Sequence, residues 1–392
     1  MTLFSNQTII TLVIFSALIL SGCSGCSGGS DKAKIKPQPV PPAVIEEPTA
    51  DYQALIDSSV SDVFPGVVLR VESPKQEFIG SAGLSNLSTF ENLETYHQTP
   101  TASAGKPMIS LLATMLHEDG QLNLDDTLDH WLAAELVKQI PYGAEITLRQ
   151  LLNHTSGIYN YTEEDDFIDM VFKDPTVLRT DIDFTPFGLN HSAYFAPGEG
   201  YEYSNTGYHL AGLILDQVLG YHHSVELRSR ILEPLAMLST YYKGVEKSHG
   251  DFVSGYVMTR DGEMLDVKAL QENSARANAP VVSTVEDLAV FLKSLIDDDS
   301  FVSDDVKETM FGEQSLLLVG SYKYGLGIHR QTVNGQDLYF HNGQEHGYSS
   351  YNLYIPGTET SISAIFNCGG YDQCELAIDT LMDKVLMNEL QQ

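Results

Sequence analysis

Thr101-Ala102-Ser103-Ala104-Gly105-Lys106-Pro107-Met108 is the stretch on which the reading of this 392-residue chain turns. If a helix opens at Ser103, positions i and i+3 lie one turn apart on one face, and the Lys106 amine comes within reach of the Ser103 hydroxyl. A serine hydroxyl is a weak nucleophile until a neighbouring base takes its proton. A lysine can be that base only when burial or nearby positive charge lowers its pKa. The pair alone is weak, since about one such spacing is expected by chance in a chain of this length. A solvated helix start is the plain alternative, so the rest of the chain has to decide.

The composition, 43% hydrophobic and 19% charged, is that of a globular protein with ample length for a core. Lys and Arg total 22 against 53 Asp and Glu, a net charge of −31. That balance excludes nucleic acid as a partner, because phosphate binding needs clustered basic residues. It describes a solvated, self-repelling surface, for which a salty habitat is one hypothesis. Residues 9–20 form an apolar run too short to span a membrane and suited to a signal-peptide core. The run ends in Leu20-Ser21-Gly22-Cys23, which resembles the lipobox of bacterial lipoproteins. The resemblance implies removal of residues 1–22 and a lipid on Cys23, although residues 1–8 carry no Lys or Arg. Ser24 rather than aspartate follows the cysteine, so the expected place is the cell envelope, on the outer membrane facing the periplasm. Residues 23–50, Gly/Ser-rich and then Pro-rich, read as a tether. Cys26 falls within it. Cys368 and Cys374 flank a turn-rich loop and are a disulfide candidate in an oxidising compartment. A metal is the rival there, with two cysteines too few to hold one.

Along the chain, residues 52–63 read as a helix ended before Pro65, residues 66–71 as a strand and 76–81 as its hairpin partner. From Met108 the spacing of Ile109, Leu112, Met115 and Leu116 predicts a helix stopped at Gly120. Thr147 caps residues 148–153; residues 205–219 form a helix stopped at Gly220, and residues 225–232 another. Ser283 to Glu286 reads as a capping box with Ser283 at the N-cap. Strand-like runs at 338–341, 348–355 and 361–366 precede a closing helix over 374–387. The expected fold is α/β (α+β): an antiparallel sheet flanked by N- and C-terminal helices, with a mostly helical domain inserted. The sheet domain would comprise 51–100 and 250–392, and the helical domain 101–249.

Four stretches then stand in order: Ser103-Ala104-Gly105-Lys106; Leu148-Arg149-Gln150-Leu151-Leu152-Asn153-His154-Thr155-Ser156-Gly157; Tyr203-Ser204-Asn205; and His341-Asn342-Gly343 followed by Gly347-Tyr348-Ser349-Ser350. Together they resemble the serine β-lactamase-like superfamily, in the branch of class C β-lactamases, DD-carboxypeptidases, esterases and D-aminopeptidases. The resemblance covers about residues 52–386 and implies a β-lactamase/transpeptidase-like fold. It implies that Ser103 attacks a carbonyl to form an acyl-enzyme, Lys106 accepts its proton, and Tyr203 relays protons to the leaving group. Asn205 would orient substrate and Lys106. The N–H groups of Ser103 and Gln344, beside Gly343, would form the oxyanion hole. His341 stands where β-lactamases have lysine and would complete the catalytic set. No cofactor and no metal are implied, and the partners are a small-molecule or peptide substrate and, through the lipid, a membrane.

Taken singly these residues have ordinary roles. A tyrosine in a Tyr-Ser-Asn turn packs and turns the chain, and a histidine at a strand end is commonly a satisfied half-buried side chain. His154 reads as a loop stabiliser. His222 and His223 have no third ligand at suitable spacing, so no metal is expected there. Glu163-Glu164-Asp165-Asp166 reads as a solvated loop. Three departures stand out: Gly105 where relatives have Ser or Thr, Pro107 directly after the lysine, and Ala279-Pro280 where relatives have Gly-Gly. A histidine at 341 is a weaker, pH-dependent cation, unless Arg330 sits on a neighbouring strand and compensates. The expected activity is therefore a serine hydrolase acting on a peptide, amide or ester. A genuine β-lactamase and a catalytically weak penicillin-binding-like protein remain the alternatives.

Overall fold

The structure, a computed structural model, describes residues 50–390 apart from residue 165. The expected signal peptide, Cys23 with its lipid, Cys26 and the tether to residue 49 lie outside the described residues, as does Asp165 of the acidic loop. Helix α1 (Tyr52–Asp57) leads into strands β1 (Gly66–Glu72), β2 (Glu77–Asn86) and β3 (Glu91–Asn92). Helices α2 (Lys106–Glu118), α3 (Leu148–Leu152) and α4 (Asn205–Leu219) dominate the middle of the chain. After α5 (Val285–Asp297) come β4 (Leu317–Val319), β5 (Tyr322–Tyr324), β6 (His329–Val333), β7 (Gln336–Phe340), β8 (Gly343–Glu345), β9 (Tyr348–Ile355) and β10 (Thr360–Phe366). Helix α6 (Asp372–Leu390) closes the chain.

These ten strands form one sheet in the order β4-β5-β6-β7-β9-β10-β1-β2-β3, with β8 hydrogen-bonded to β9 off that path. Neighbours are antiparallel throughout, and chain-terminal β10 pairs with chain-initial β1, Val67 opposite Phe366. Strand β9 is buried along its whole length, as a central strand covered on both faces must be. Its alternating side chains show what covers each face. Asn352 Nδ2 donates to Leu288 O of α5, whereas Tyr351 lies toward Asp379 and Asp383 of α6. Val285 and Leu288 of α5 pack on Val68 and Ile365. The main apolar cluster joins Met108, Ile109 and Leu112 of α2 to Leu210 and Ile214 of α4, all fully buried. Each such aliphatic side chain is worth roughly 1.5–3 kcal/mol of hydrophobic burial. That packing fixes the two helices that carry the site.

Several elements match their sequence signals closely. Helix α4 runs over Asn205–Leu219 and ends at Gly220 with φ +76, the left-handed conformation glycine adopts without strain. Thr147 and Gln150 form a full capping box on α3. Other signals misled. The first helix stops at Asp57 rather than reaching 63, because Ser58 and Ser59 turn their hydroxyls back onto Leu55 O and Ile56 O and end the helix before Pro65. The N-cap of α5 is Thr284, whose Oγ1 accepts from Asp287 N. Ser283 instead ends the strand Val281–Ser283, and its hydroxyl faces Thr240 Oγ1 at 2.7 Å. That strand lies between Thr99–Pro100 and Tyr241–Tyr242 in a small sheet without a strong sequence signal. Cys368 and Cys374 are disulfide-bonded, with Cα atoms 6.2 Å apart. His222 and His223 do have a third group near them: Asp216 completes a trio able to hold a metal ion. Within it His223 spans Asp216 Oδ1 and Tyr242 Oη, each at 2.8 Å, and His222 Nδ1 lies 2.9 Å from Ser224 Oγ.

Candidate active site

The segment before Ser103 is clamped from two sides. Thr101 donates to Val281 O through both its N–H (3.0 Å) and its Oγ1 (3.1 Å). Thr101 O in turn accepts from Ser350 Oγ of β9 at 2.7 Å. Between these anchors Ala102 takes φ +49, a conformation costing a residue with a Cβ about 1 kcal/mol or more and typical of sites where geometry is imposed. A short 3₁₀ turn, Ala102–Gly105, then feeds directly into α2. Pro107 occupies the first turn of α2, where its missing N–H breaks no helical bond.

Lys106 is fully buried. Its Nζ donates to Ser103 Oγ (2.9 Å), Asn205 Oδ1 (2.9 Å) and the Asn278 carbonyl (2.7 Å). It also lies 5.1 Å from the ring centres of both Tyr203 and Tyr208. Burial, then the positive charge of Arg276, hold its pKa well below the ordinary lysine value, and Glu345 opposes them. Asn205, first residue of α4, has its N–H fixed on Asn160 Oδ1 at 3.0 Å. Tyr208, one turn along α4, is pinned by its hydroxyl to Leu152 O and Ser110 Oγ, each at 2.9 Å. The Tyr203 hydroxyl is buried and has no hydrogen-bond partner among the described residues. Burial raises its pKa and Ser103 is the neighbour that lowers it.

Gly105 and Pro280 explain one another. A Cβ on Gly105 would lie 2.7 Å from both Cδ and Cγ of Pro280, so the proline ring fills the space that a side chain at 105 would need. Two of the departures from the relatives' pattern are thus one compensated exchange. Gly343 is required just as tightly: a Cβ there would meet Thr101 O at 2.1 Å and Ser103 N at 2.9 Å. Strand β8 therefore runs against the Ser103 backbone, with Gln344 next along it, paired to Ser349 and exposed.

His341 is 4% exposed, and its nitrogens are used away from Ser103 and Lys106. Nδ1 lies 2.8 Å from Asn342 O, and Nε2 lies 3.2 Å from Tyr324 Oη. A carbonyl can only accept, so Nδ1–H donates to it, while Nε2 faces a phenol that can donate or accept. Burial holds its pKa well below the usual histidine range and so keeps the ring neutral. Arg330 offers no compensating charge, because its guanidinium pairs with Glu313 and Asp337. His154 packs against Tyr203 with ring centres 4.1 Å apart and planes tilted by 36°, and its Nδ1 accepts from Ser204 N at 3.2 Å. It shapes the loop that presents Tyr203.

The structure thus gathers Ser103, Lys106, Asn205 and Tyr203 around one buried amine and lays Gly343 against Ser103, while His341 faces Tyr324. Sequence reasoning missed Asn278, Tyr208, Arg276, Glu345 and Lys243. A polar pair in the small-residue run Ala275-Arg276-Ala277-Asn278-Ala279 was the available hint.

Comparison with known proteins bears on the same residues. The family model described as Beta-lactamase matches residues 51–386. Penicillin-binding protein 4* of Bacillus subtilis (strain 168) is 29% identical over 316 residues, 76% of this chain and 67% of its own length. Protein flp of Staphylococcus aureus (strain NCTC 8325 / PS 47) is 26% identical over 271 residues, 68% of this chain, which spans about half (52%) of that relative. A D-stereospecific amidohydrolase from Streptomyces sp. superposes with a TM-score of 0.71 at 26% identity, over 84% of this chain and 97% of its own.

Proposed function

The chain belongs to the Beta-lactamase family, and on that premise we propose that it is a serine hydrolase that passes an acyl group through Ser103. The observation that carries this reading is the 2.9 Å contact between Lys106 Nζ and Ser103 Oγ, at an amine whose burial favours the uncharged form. With Lys106 as the free amine the same contact runs the other way, and Ser103 O–H donates to Nζ. Attack of Oγ on the substrate carbonyl then moves that proton to Lys106. Negative charge gathers on the carbonyl oxygen, which the Ser103 and Gln344 N–H groups stabilise, each such donor being worth about 10²–10³ in rate. Tyr203, with its buried hydroxyl, gives its proton to the leaving amine or alcohol and takes the one Lys106 received, so that Lys106 returns to the free amine. Water hydrolyses the acyl-enzyme by the reverse relay. Asn205 and the Asn278 carbonyl aim the amine.

On this reading the substrate is a peptide, amide or ester, and D-configured amides are among the first to try because the chain is similar to a D-stereospecific amidohydrolase. A β-lactam carboxylate would find a neutral imidazole at 341 and a guanidinium committed elsewhere. Benzylpenicillin is expected to acylate slowly at best; rapid multiple turnover would overturn this assignment. The test is a hydrolysis panel of D-Ala-D-Ala peptides, D-amino amides and short-chain esters with Ser103→Ala as control. Ser103-dependent release from one class supports the hydrolase. Covalent labelling without any turnover would point instead to a weak penicillin-binding-like protein. The same proposal places the protein at the cell envelope, lipid-anchored through Cys23 on the outer membrane, on the strength of Leu20-Ser21-Gly22-Cys23.

A further inference from the structure

A buried ion cluster beside the site is not used by the chemistry above. Glu345, the last residue of β8, accepts from Lys243 Nζ at 2.7 and 2.9 Å and from Arg276 Nη2 at 2.7 Å. Lys243 and Arg276 share a further acceptor, Gln271 Oε1, at 3.0 and 3.3 Å. Burial lowers Lys243 to about 8, so at neutral pH two cations share the Glu345 carboxylate, while Asp181, whose Oδ1 accepts from Ala277 N at 2.9 Å, is a further acidic group acting on Arg276. Hydrogen bonds connect this cluster to the nucleophile. Arg276 Nη1 donates to Tyr161 Oη (3.0 Å), which also accepts from Asn278 Nδ2 (3.4 Å). Asn278 Nδ2 donates to Asn205 Oδ1 (3.2 Å), the atom that holds Lys106 Nζ.

We propose that Arg276 and Glu345 are positioning residues of the reaction: Glu345 ties the Gly343–Gln344 segment to the loop bearing Asn278, and Arg276, which shares Glu345 with Lys243, keeps a positive charge in the network that holds Lys106, favouring its free-amine form. This rests on the reading of Lys106 as the base. The histidines and tyrosines near Lys106 carry no charge to compete, and the acidic Asp181 is held against His209 and Ala277 N. His154 and His341 are kept neutral by burial, and His209 on α4 is lowered by burial against its pairing with Asp181. Tyr203 and Tyr208 are kept protonated by the same burial. Arg276 and Glu345 are the charges that act on Lys106, with opposite signs.

The experiment is the rate of Ser103 labelling by a fluorophosphonate as a function of pH in the full chain. R276Q leaves Glu345 paired with Lys243, and K243Q leaves it paired with Arg276, so neither strands a buried carboxylate. Loss of the guanidinium should move the acid limb upward by about one pH unit. E345Q should move it downward and also lower the plateau, R276K should keep it in place, and K243Q, which leaves Glu345 to Arg276 alone, should move it upward by less than R276Q does. A limb that stays put in R276Q, with only its plateau reduced, overturns the inference. Should R276Q not fold, an unmoved limb in E345Q does the same. Wild-type protein without Ser103-dependent labelling would remove the parent reading as well; intact labelling with an unmoved limb removes this inference alone.

Discussion

Lys106 meets the two demands on a lysine base in different ways. Its three acceptors, Ser103 Oγ, Asn205 Oδ1 and Asn278 O, aim the nitrogen, and burial with Arg276 disfavours its charge. The sign of the pH dependence follows: the working form is the free amine, so activity is lost as pH falls through the lowered Lys106 pKa. A profile requiring pH near the ordinary lysine value would contradict it. His341 is already neutral, so no separate step should appear in the usual histidine range. Tyr203→Phe should lower kcat by about 10²–10⁴, the span of a lost general acid–base group, with a smaller change in KM. Gly105 and Pro280 make a second prediction. Gly105→Ala should cost about 1–3 kcal/mol by forcing a Cβ into the proline ring. In denaturant titrations of a double-mutant cycle, Pro280→Gly should relieve most of that cost; additive losses would show that the two positions are independent. Sequence alone showed both departures but not that they cancel, because residues 105 and 280 meet only after the small strand Val281–Ser283 is in place.

At the scale of elements, the site is assembled by pieces that each hold one group. Helix α2 carries the amine, α4 presents Asn205 and Tyr208, and β8 brings Gly343 against Ser103. Cys368 and Cys374 join the stretch after β10 to the first turn of α6. Closing so short a loop is worth about 2 kcal/mol of unfolded-state entropy. The paired change Cys368→Ser with Cys374→Ser should therefore lower stability by about that amount while leaving the rate of Ser103 labelling unaltered. A loss of labelling in still-folded protein would mean that the bridge shapes the site. Elements with self-contained signals were legible in advance: α4 between Asn205 and Gly220, α3 behind its Thr147 cap, and β9 as a strand-like run. The strand Val281–Ser283 was not, since its three residues exist as a strand only through pairing with Thr99–Pro100 and Tyr241–Tyr242. The Arg276–Glu345–Lys243 cluster was hidden for the same reason, its members lying far apart in sequence and carrying no motif.

Across the whole molecule, the antiparallel sheet built from both chain ends was readable from the order of strand and helix signals. The ordered motifs brought Ser103, Lys106, Tyr203 and Asn205 into one expectation, and those four do meet around one amine. What sequence could not supply was direction: His341 turns to Tyr324 and Arg330 to Glu313 and Asp337. The net charge of −31 predicts self-repulsion that salt screens. Thermal stability should rise with sodium chloride, and full stability in salt-free buffer would argue against a salty habitat. Radiolabelled palmitate should enter the expressed precursor and be lost with Cys23→Ser, which should also release the protein from membranes; membrane retention without label would contradict a lipid anchor. The most direct test of the account is peptide mapping by mass spectrometry after brief exposure to a fluorophosphonate. The account predicts a single adduct on Ser103, abolished by Ser103→Ala and formed far more slowly in Lys106→Met. An adduct elsewhere, or one on Ser103 indifferent to Lys106, would contradict it.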